Sequence, residues 1–367
     1  MSETLSSTPR DDGFRMPAEW EPHQGCWLLW PERPDNWRLG AKPAQQAFVA
    51  VATAISEGEP VTVGVSRAQF ENARARLPAR VRVVELSAND CWMRDVGPTF
   101  VTNGRGHLRA IDWTFNAWGG LEGGLYFPWD LDDQVAAKVA ELERVPRYRA
   151  PFVLEGGAIH TDGAGTLLVT EQCLLNPNRN PGLDKVEIEG LLRAWLGVET
   201  VIWLGAGVHL DETDGHIDNL ACFVRPGVVA LTWEEDPADP QHAISTDALA
   251  RLQKARDARG QPLEIVRIPQ PRPQFISEAE SAGIDLSAAA MPRPAGGRLA
   301  ASYVNFYIGN GIVVMPELDP TRDGEAAAIL AKLFPERRIL AVPGREILLG
   351  GGNIHCITQQ QPVGTPG

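Results

Sequence analysis

The chain contains 367 residues, of which 44% are hydrophobic and 22% charged, and it carries a formal net charge of -13. This length and composition are typical of a globular protein with a large core in one or two domains, and they argue against disorder and against a membrane-spanning protein. The acidic balance would repel phosphate backbones, so we expect neither a nucleic-acid partner nor a membrane partner.

The two chain ends and the cysteines bear on domain limits and compartment. Residues 1–15 are polar and lack the apolar stretch of a signal peptide, so we predict an N-terminal tail followed by one catalytic domain over 16–362. Residues 363–367 are predicted to form a second tail, and the polar stretch 359–367 is expected to be frayed.

The five cysteines are scattered without a Cys-x-x-Cys pair. This pattern indicates a reducing, cytoplasmic compartment without a disulfide framework.

A repeated unit recurs along the chain and consists of two short strands around a turn, a helix and a third strand. The first unit has predicted strands at 25–30 and Val61–Val65 on either side of a helix at 45–56. Four later hairpins bracket Gly or Asn, as tight turns require. They are predicted at 97–102 with 107–113, 158–161 with 166–170, 219–225 with 228–233, and 302–308 with 312–316.

Helices and third strands complete these units. The helix predicted at 184–196 has apolar residues at helical spacing, begins with the capping-box pair Asp184 and Glu187, and ends before Gly197. A second clear helix is predicted at 324–334. Third strands are predicted at 81–86, 199–204, 263–268 and 338–342.

About five copies of the unit predict a propeller-like ring of α/β units. The alternation of strands and helices by itself also fits an open α/β sheet, which stands as the alternative. The stretch 269–297 is rich in Pro, Ala, Ser and Glu. We expect it to be a long surface loop that lies over a site.

Chemically capable side chains recur at one place in the units, after one element ends and before the next hairpin begins. They are Asp90, Asp95, Glu155, His216, Asp218 and Cys356. Equivalent positions in a ring of repeats converge near its axis, so these groups are expected to face one cavity.

Cys356 is the leading candidate for a nucleophile. A glycine run ending at Gly352 leads into the strand-like segment that carries it. Glycines let backbone and substrate approach closely, and a thiolate can attack an electrophilic carbon. A cysteine in an apolar segment is also a common small core residue, which is the alternative. The neighbouring His355 would point to the opposite face of a strand, which makes it a poor base for Cys356.

These groups together fit a guanidinium substrate. Two or three carboxylates can clamp this planar cation through charge-assisted hydrogen bonds and leave its central carbon open to a thiolate. His216 can then protonate departing ammonia and later activate water. Trp92 and Trp118 could wall an aliphatic or cationic substrate, although packing is the default role of each.

Structural alternatives exist for the charged candidates. Asp95 could form an ion pair with Arg94, Glu155 could be a turn carboxylate, and the acidic stretch 211–214 could be a solvated loop.

A metal site is the strongest rival for His216. This residue could bind a metal with Asp218 and His209, or it could be a satisfied core histidine. Neither an HExxH motif nor a paired cysteine ligand set accompanies it, so thiol chemistry at Cys356 is preferred and no metal is predicted. Cys91 is ambiguous, and the other cysteines are predicted to pack in the core: Cys26, Cys173 and Cys222.

Several longer segments match a known family. They are Met-Pro-Ala-Glu-Trp-Glu-Pro-His at 16–23, Glu-Gln-Cys-Leu-Leu-Asn-Pro-Asn-Arg-Asn at 171–180, Asp-Gly-His-Ile-Asp-Asn at 214–219, Ala-Ala-Ser-Tyr-Val-Asn-Phe-Tyr at 300–307, and the segment 350–362 that opens with Gly-Gly-Gly-Asn-Ile-His-Cys. In these segments the chain resembles the agmatine deiminases of the guanidino-group-modifying superfamily. Residues 89–95 and 155–157 are shared more broadly across that superfamily.

The resemblance implies a fold and a reaction. The implied fold is a five-bladed α/β propeller, the pentein fold, of ββαβ repeats with pseudo-fivefold symmetry. The implied reaction is hydrolysis of agmatine to N-carbamoylputrescine and ammonia, a step toward putrescine that needs no cofactor.

The resemblance also implies residue roles. Cys356 is expected to be the nucleophile and His216 the general acid/base. Asp95 and Asp218 are expected to clamp the guanidinium, with Glu155 supporting the histidine or the substrate. Further substrate-binding residues are expected at Asp90, Trp92, Trp118 and Gly352.

Other substrates and functions stay open at this point. The acidic approach at 205–212 departs from the family pattern, which leaves substrate selectivity open, and a bacterial peptidyl-arginine deiminase is the nearest rival. A metal-dependent hydrolase and a non-catalytic propeller scaffold are further alternatives. A homo-oligomer is plausible by analogy.

Overall fold

The structure is a computed structural model that describes residues 2–367. Its strands are β1 (Thr4–Leu5), β2 (His23–Leu29), β3 (Val61–Val65), β4 (Arg82–Glu85), β5 (Thr99–Thr102), β6 (His107–Thr114), β7 (Arg147–Val153), β8 (His160–Thr161), β9 (Thr166–Thr170), β10 (Thr200–Leu204), β11 (Ala221–Arg225), β12 (Val228–Trp233), β13 (Glu264–Pro269), β14 (Gln274–Phe275), β15 (Arg298–Leu299), β16 (Tyr307–Gly309), β17 (Ile312–Glu317), β18 (Arg338–Pro343), β19 (Gln359–Pro362) and β20 (Thr365–Pro366).

Its helices are α1 (Lys42–Ile55), α2 (Phe70–Arg76), α3 (Met93–Val96), α4 (Gly120–Gly123), α5 (Val135–Glu143), α6 (Glu171–Leu174), α7 (Lys185–Leu196), α8 (Ile217–Leu220), α9 (Pro240–Lys254), α10 (Glu278–Ala282), α11 (Asp323–Leu333) and α12 (Arg345–Leu349). Short 3-10 turns occur at Arg67–Gln69, Asp132–Gln134 and Gly156–Ala158.

Five sheets repeat one hydrogen-bonding order, in which an antiparallel pair of strands is followed by a parallel third strand. The order recurs in β5–β6–β7, β8–β9–β10, β11–β12–β13, β16–β17–β18 and β19–β2–β3. Helices α5, α7, α9, α11 and α1 connect the second strand of each sheet to the third. Parallel neighbours need such a crossover, so the α/β class follows from this connectivity. The strands divide among separate sheets, and the alternative of one open sheet is therefore wrong.

The predicted hairpins are confirmed within a few residues, with one exception. The strand expected at 302–308 is short, because β16 begins only at Tyr307 and the residues before it form an irregular segment with a turn at 303–304. The helix at 184–196 is confirmed as α7, with both capping-box hydrogen bonds and with Gly197 at φ 67°. The strand predicted at 81–86 is β4, which extends the first sheet beside β3, and β7 is the third strand of the unit that follows.

The C-terminal stretch is part of a sheet, so the prediction that residues 359–367 are frayed is wrong. Strand β19 pairs antiparallel with β2, and the Gln361 side chain accepts a hydrogen bond from Trp27 Nε1 at 3.0 Å. Strand β20 pairs with β6. Polar composition misled the prediction because strand pairing satisfies the backbone polar groups of these glutamines and so permits their burial, although Gln359 Oε1 and Gln360 Oε1 have no hydrogen-bond partner within residues 2–367.

The N-terminal residues also contact the rest of the chain. Strand β1 pairs with β7, Phe14 is only 3% exposed, and Arg15 forms a bridge with Thr102. The domain limits of 16 and 362 stay a prediction.

The stretch 269–297 is more structured than the expected loop. It contains β14 and α10, and its part at 290–293 lies against the central cavity described below. Of the helices between residues 2 and 367, none is both long and apolar enough to cross a bilayer.

Candidate active site

The predicted nucleophile faces a cavity of about 600 Å³, counted to its open mouth. Several of the predicted site residues line it directly: Asp90, Trp92, Asp95, Trp118, Gly352 and Cys356. Of the remaining three, His216 contacts Asp95 and Asp218 contacts Cys356, whereas Glu155 contacts His216 behind them. The structure therefore brings together side chains that lie as much as 266 positions apart in the sequence.

Cys356 lies in a turn that follows α12 and the glycine run, and the expectation of a strand-like segment is wrong. Its Sγ is 3.6 Å from Asp218 Oδ2 and 3.2 Å from Asn305 Nδ2. A Cβ on Gly352 would lie 3.0 Å from this sulfur and 2.6 Å from the ring of Trp92. Glycine is needed at this position because any side chain would fill the approach to the nucleophile.

The electrostatic surroundings of Cys356 favour the neutral thiol in the empty site. Burial raises the pKa of the thiol well above its usual range, and the carboxylates of Asp218 and Asp95 raise it further. The Asn353 backbone and the Asn305 side chain act in the opposite direction by hydrogen bonding.

Asp95 lies in α3, the short helix before β5. Its Oδ1 accepts a hydrogen bond from the Gly157 N–H at 2.8 Å, and its Oδ2 accepts one from Trp118 Nε1 at 3.0 Å. Burial raises the pKa of Asp95 to about 6, opposed by His216 and reinforced by Asp218 and Glu155. These contacts fix the carboxylate at the wall of the cavity.

His216 lies between two carboxylates just before α8. Its Nδ1 is 3.9 Å from Asp95 Oδ2, and its Nε2 is 3.7 Å from Glu155 Oε2. Burial disfavours the charged ring, but Asp95, Cys173 and Glu155 more than offset this effect, and the pKa of His216 is raised well above its usual range. The Nε2 atom has no hydrogen-bond partner within residues 2–367, so His216 is not a satisfied core histidine.

Glu155 follows β7 and is held by Arg179, whose Nε donates to Glu155 Oε1 at 2.7 Å. Burial alone would raise the pKa of Glu155, yet the Arg179 guanidinium and His216 lower it. Arg179 also donates to Asp214 and to the Trp118 carbonyl. Asp214 is therefore paired although its side chain is 33% exposed, and Glu155 is a buried ion-pair partner and not the turn carboxylate considered as the alternative.

The two glycines after Glu155 are required by close packing. A Cβ on Gly157 would lie 2.5 Å from His216 Nδ1, 2.9 Å from Asp95 Oδ1 and 3.1 Å from Asp218 Oδ2. A Cβ on Gly156 would lie 2.2 Å from the backbone oxygen of Arg94. The absence of side chains here lets three ionisable groups from different units approach one another.

His355 contacts the site, contrary to the expectation that it points away from it. Its Nδ1 is 2.9 Å from Asp218 Oδ2, the carboxylate oxygen that also faces Cys356 Sγ. Its Nε2 is 2.8 Å from Glu19 Oε1. The expectation that neighbouring side chains point to opposite faces holds for a strand, and it is wrong here because His355 and Cys356 lie in a turn. Burial would raise the pKa of Asp218, but His355 lowers it and keeps the carboxylate ionised.

Arg94 does not form the ion pair with Asp95 that was considered as an alternative. Its guanidinium bonds Glu19 at 3.2 Å, while its Nε donates to the His355 carbonyl at 3.3 Å. Asp95 is thereby left to face the cavity.

Asp90 supports the tryptophan wall of the cavity. Its carboxylate accepts hydrogen bonds from Trp37 Nε1, Asn36 Nδ2 and Trp92 Nε1 and from the Cys91 N–H, at distances of 2.7 to 2.9 Å. The ring of Trp92 stacks near Trp37 with centroids 5.3 Å apart. A substrate-binding role for Asp90 stays a prediction, because these four donors already occupy its oxygens.

The rival metal site does not assemble as predicted. His209 makes a backbone contact with Gln241, and within residues 2–367 the ligand-like group around His216 contains Glu155 and Cys173 instead. A second group, Glu19 with His160 and His355, is a hydrogen-bonded network. His160 Nδ1 accepts from the Phe223 N–H at 3.2 Å, which leaves the proton on Nε2 toward Glu19.

Several residues near the nucleophile were missed by the sequence interpretation. They are Glu19, Arg179, Arg293 and Asn305, whereas Glu212 belongs to the acidic approach at 205–212 that the sequence singled out. Three of them lie in segments 16–23, 171–180 and 300–307, whose similarity to a known family was the available signal. Pairing between distant segments has no local signature, so their partners could not be named.

Comparisons with known proteins agree with this site. A sequence model of the Porphyromonas-type peptidyl-arginine deiminase family matches residues 15–362. The agmatine deiminases of Ectopseudomonas mendocina (strain ymp) and Pseudomonas aeruginosa (strain UCBPP-PA14) are each 59% identical to this chain, over 362 and 360 residues, and the match covers 98% of each chain. The solved structure of the agmatine deiminase of Enterococcus faecalis superposes with a TM-score of 0.96 at 48% identity, covering 99% of this chain and 100% of that one. The chain belongs to the Porphyromonas-type peptidyl-arginine deiminase family, in its agmatine deiminase branch of the pentein superfamily.

Proposed function

We propose that this protein hydrolyses agmatine to N-carbamoylputrescine and ammonia through a covalent amidino-cysteine intermediate, as a step toward putrescine. The observation that carries the proposal is the position of Cys356 Sγ at the cavity wall, 3.6 Å from Asp218 Oδ2 and beside Asp95. Similarity to agmatine deiminases over nearly the full chain supports the choice of substrate.

The guanidinium group is held by Asp95 and Asp218. Both are buried and fixed by donors on other segments, and paired carboxylates match the planar N–H edges of a guanidinium. Trp92 and Trp118 enclose the aliphatic part of the substrate, and Gly352 leaves room for it beside the nucleophile. The clamp keeps the group cationic, so its central carbon stays electrophilic.

The Cys356 thiolate forms when the substrate cation arrives, and the thiol proton passes to solvent. The carboxylates that disfavour the thiolate in the empty site are neutralised by the bound guanidinium, so its binding lowers the pKa of the thiol. Alkylation of the empty enzyme at pH 7 is therefore expected to be slow. Mass spectrometry of Cys356 after brief iodoacetamide treatment checks this expectation, which rapid labelling would contradict.

The reaction then proceeds in two halves. Sγ bonds to the guanidinium carbon, and one C–N bond breaks as protonated His216 gives its proton to the departing ammonia. Neutral His216 next takes a proton from water, which adds to the amidino carbon. The S–C bond breaks with its electron pair returning to sulfur, the remaining hydroxyl proton passes to solvent as the carbonyl forms, and the neutral ureido product leaves. Glu155, held by Arg179, stabilises the cationic state of His216.

The fold and setting complete the proposal. The five sheets of identical strand order are the five blades of an α/β propeller with pseudo-fivefold symmetry, and residues 16–362 act as one catalytic domain. The five cysteines are all free thiols, which fits a cytoplasmic location. A homo-oligomer without a nucleic-acid or membrane partner and without a metal is the expected working form.

Ammonia release by wild type and Cys356→Ala tests the function. Agmatine, free arginine and a blocked arginyl peptide are supplied in parallel, with and without a chelator. We expect chelator-resistant turnover of agmatine alone and a loss of more than about 10⁴-fold in kcat for the variant. Cys26→Ala removes a buried thiol outside the cavity and is the matched control.

The other outcomes point to the rival functions. Turnover of the blocked arginyl peptide would support the same mechanism but identify peptidyl-arginine as the substrate. Chelator-sensitive turnover that survives Cys356→Ala would replace the proposal with metal-dependent hydrolysis.

A further inference from the structure

A fully buried asparagine contacts the nucleophilic sulfur. Asn305 lies between β15 and β16 and is 0% exposed. Its side-chain Nδ2 is 3.2 Å from Cys356 Sγ, which is shorter than the 3.6 Å from that sulfur to Asp218 Oδ2. Within residues 2–367, Asn305 is the residue whose side-chain amide donates a hydrogen bond to Cys356 Sγ.

The orientation of the Asn305 amide is fixed by the backbone around the nucleophile. Its Oδ1 accepts hydrogen bonds from the N–H groups of His355 at 3.0 Å and of Cys356 at 3.4 Å. Backbone N–H groups cannot accept hydrogen bonds. If the amide were flipped, its NH₂ group would face the N–H groups of His355 and Cys356, and no hydrogen bond could form. The Nδ2 must therefore face the sulfur. Sγ also lies 3.5 Å from Oδ1, but the two backbone donors already occupy that oxygen.

The site otherwise opposes a negative charge on this sulfur. Asp218 and Asp95 both face it, and no cationic side chain within residues 2–367 bonds it directly. His216 is directed toward Asp95 and Glu155. A thiolate in such surroundings needs a fixed donor, and a hydrogen bond to a charged acceptor is stronger than one to a neutral acceptor.

We infer that Asn305 is a catalytic residue that donates a hydrogen bond to the Cys356 thiolate. The inference rests on the proposed function, in which the thiolate appears twice: before attack on the guanidinium carbon and when the S–C bond of the intermediate breaks. In both states the amide N–H stabilises the electron pair on sulfur. While sulfur is bonded to carbon, that pair is shared and the hydrogen bond weakens.

Asn305→Asp isolates the donor from the backbone contacts. The substitution keeps an oxygen for the His355 and Cys356 N–H groups and replaces only the N–H donor. Asn305→Ala removes the donor without adding a charge, and so separates loss of the hydrogen bond from charge repulsion. Asn310→Ala is the matched control, because Asn310 exchanges hydrogen bonds of 3.0 and 2.8 Å with the backbone of His23 and does not line the cavity.

The first readout is the pH dependence of Cys356 alkylation by iodoacetamide without substrate, followed by mass spectrometry. We expect the midpoint to rise by at least about one pH unit in both Asn305 variants, with an alkylation rate about 10-fold lower at a fixed pH below it. The second readout is turnover, where kcat should fall about 10- to 100-fold with a smaller change in KM. Asn310→Ala should match wild type in both midpoint and kcat.

The opposite results are distinguishable. If both Asn305 variants keep the wild-type midpoint while kcat falls, Asn305 only orders the backbone and the inference is wrong. If one variant fails to fold, the other decides. Absence of turnover by wild type would reject the proposed function, whereas the alkylation midpoints would still decide whether Asn305 stabilises the thiolate.

Discussion

At the scale of single residues, His355 shows how the site holds its charges. Its two ring nitrogens face Asp218 at 2.9 Å and Glu19 at 2.8 Å, so both nitrogens need a proton to donate. Burial and the nearby Arg94 favour the neutral ring, but the two carboxylates outweigh them and raise the pKa of His355. The imidazolium therefore holds the Asp218 carboxylate in place.

This charge makes a pH-dependent contribution to stability. A histidine with a raised pKa stabilises the fold fully below its unfolded pKa of about 6.5, and the contribution is lost as pH rises through the folded pKa. We expect His355→Gln to lower the free energy of unfolding by roughly 3 kcal/mol at pH 6, because a buried ion-pair partner is removed. The difference from wild type should shrink as pH rises.

Urea unfolding of wild type and His355→Gln from pH 6 to 9.5 measures this difference. His242→Gln, whose ring contacts a backbone carbonyl near the surface, is the control and should differ little from wild type at any pH. A difference for His355→Gln that stays constant over the range would show that the ring is not charged.

At the scale of elements, Arg293 fastens the stretch 269–297 over the cavity. Its guanidinium donates to both oxygens of Glu212, at 2.6 and 2.8 Å, and also to Asn36 Oδ1 and the Gly350 carbonyl. One side chain thus joins the covering stretch to the loop before His216 and to the glycine run before Cys356. Charge-assisted bidentate contacts of this kind fix geometry as well as contribute energy.

Removal of this contact should loosen the cavity mouth. We expect Arg293→Ala to raise KM for agmatine about 10-fold and to increase proteolytic cleavage within 284–294, because charge-assisted hydrogen bonds to three segments are lost. Arg345→Ala is the matched control, since Arg345 binds Glu280 of α10 in the same stretch but does not line the cavity. An equal KM increase in both variants would contradict a local role for Arg293.

At the scale of the whole molecule, strand β19 joins the two ends of the chain. Strand β19 pairs with β2, whose positions lie more than 330 residues earlier, and both belong to the sheet that contains β3 and β4. Strand β19, with its buried glutamines, covers an edge of β2 that would otherwise be exposed. The strand also follows closely after Cys356, so it anchors the nucleophile turn.

Deletion of residues 359–367 should therefore destabilise the protein much more than deletion of 363–367. We expect the longer deletion to lower Tm by about 5 °C, from several lost hydrogen bonds of about 1 kcal/mol each at ~1.3 °C per kcal/mol for a chain of this length. The shorter deletion keeps β19 and is the control. Differential scanning fluorimetry measures both, and equal Tm values for the two truncations would refute the anchoring role.

The site residues that could be predicted are those that lie within recognisable sequence motifs. Cys356, His216, Asp95, Asp218 and Glu155 were each identified from the sequence, and the structure brings them together. Their supporting contacts were not predictable. Asn305 lay inside a predicted strand, and the turn around His355 was interpreted as extended, because a residue pattern alone does not show which turn a distant segment stabilises.

The sequence by itself determined the features that depend on neighbours along the chain. Tight turns at Gly and Asn, the capping box of α7 and the period of apolar residues are local, so hairpins, helices and the α/β class followed from them. The tertiary structure decided the rest: the ion pair of Arg179 with Glu155, the bond of Asn305 to Cys356, and the place of β19 beside β2. Such contacts depend on which distant segments meet when the sheets assemble, and that information is distributed over the whole chain.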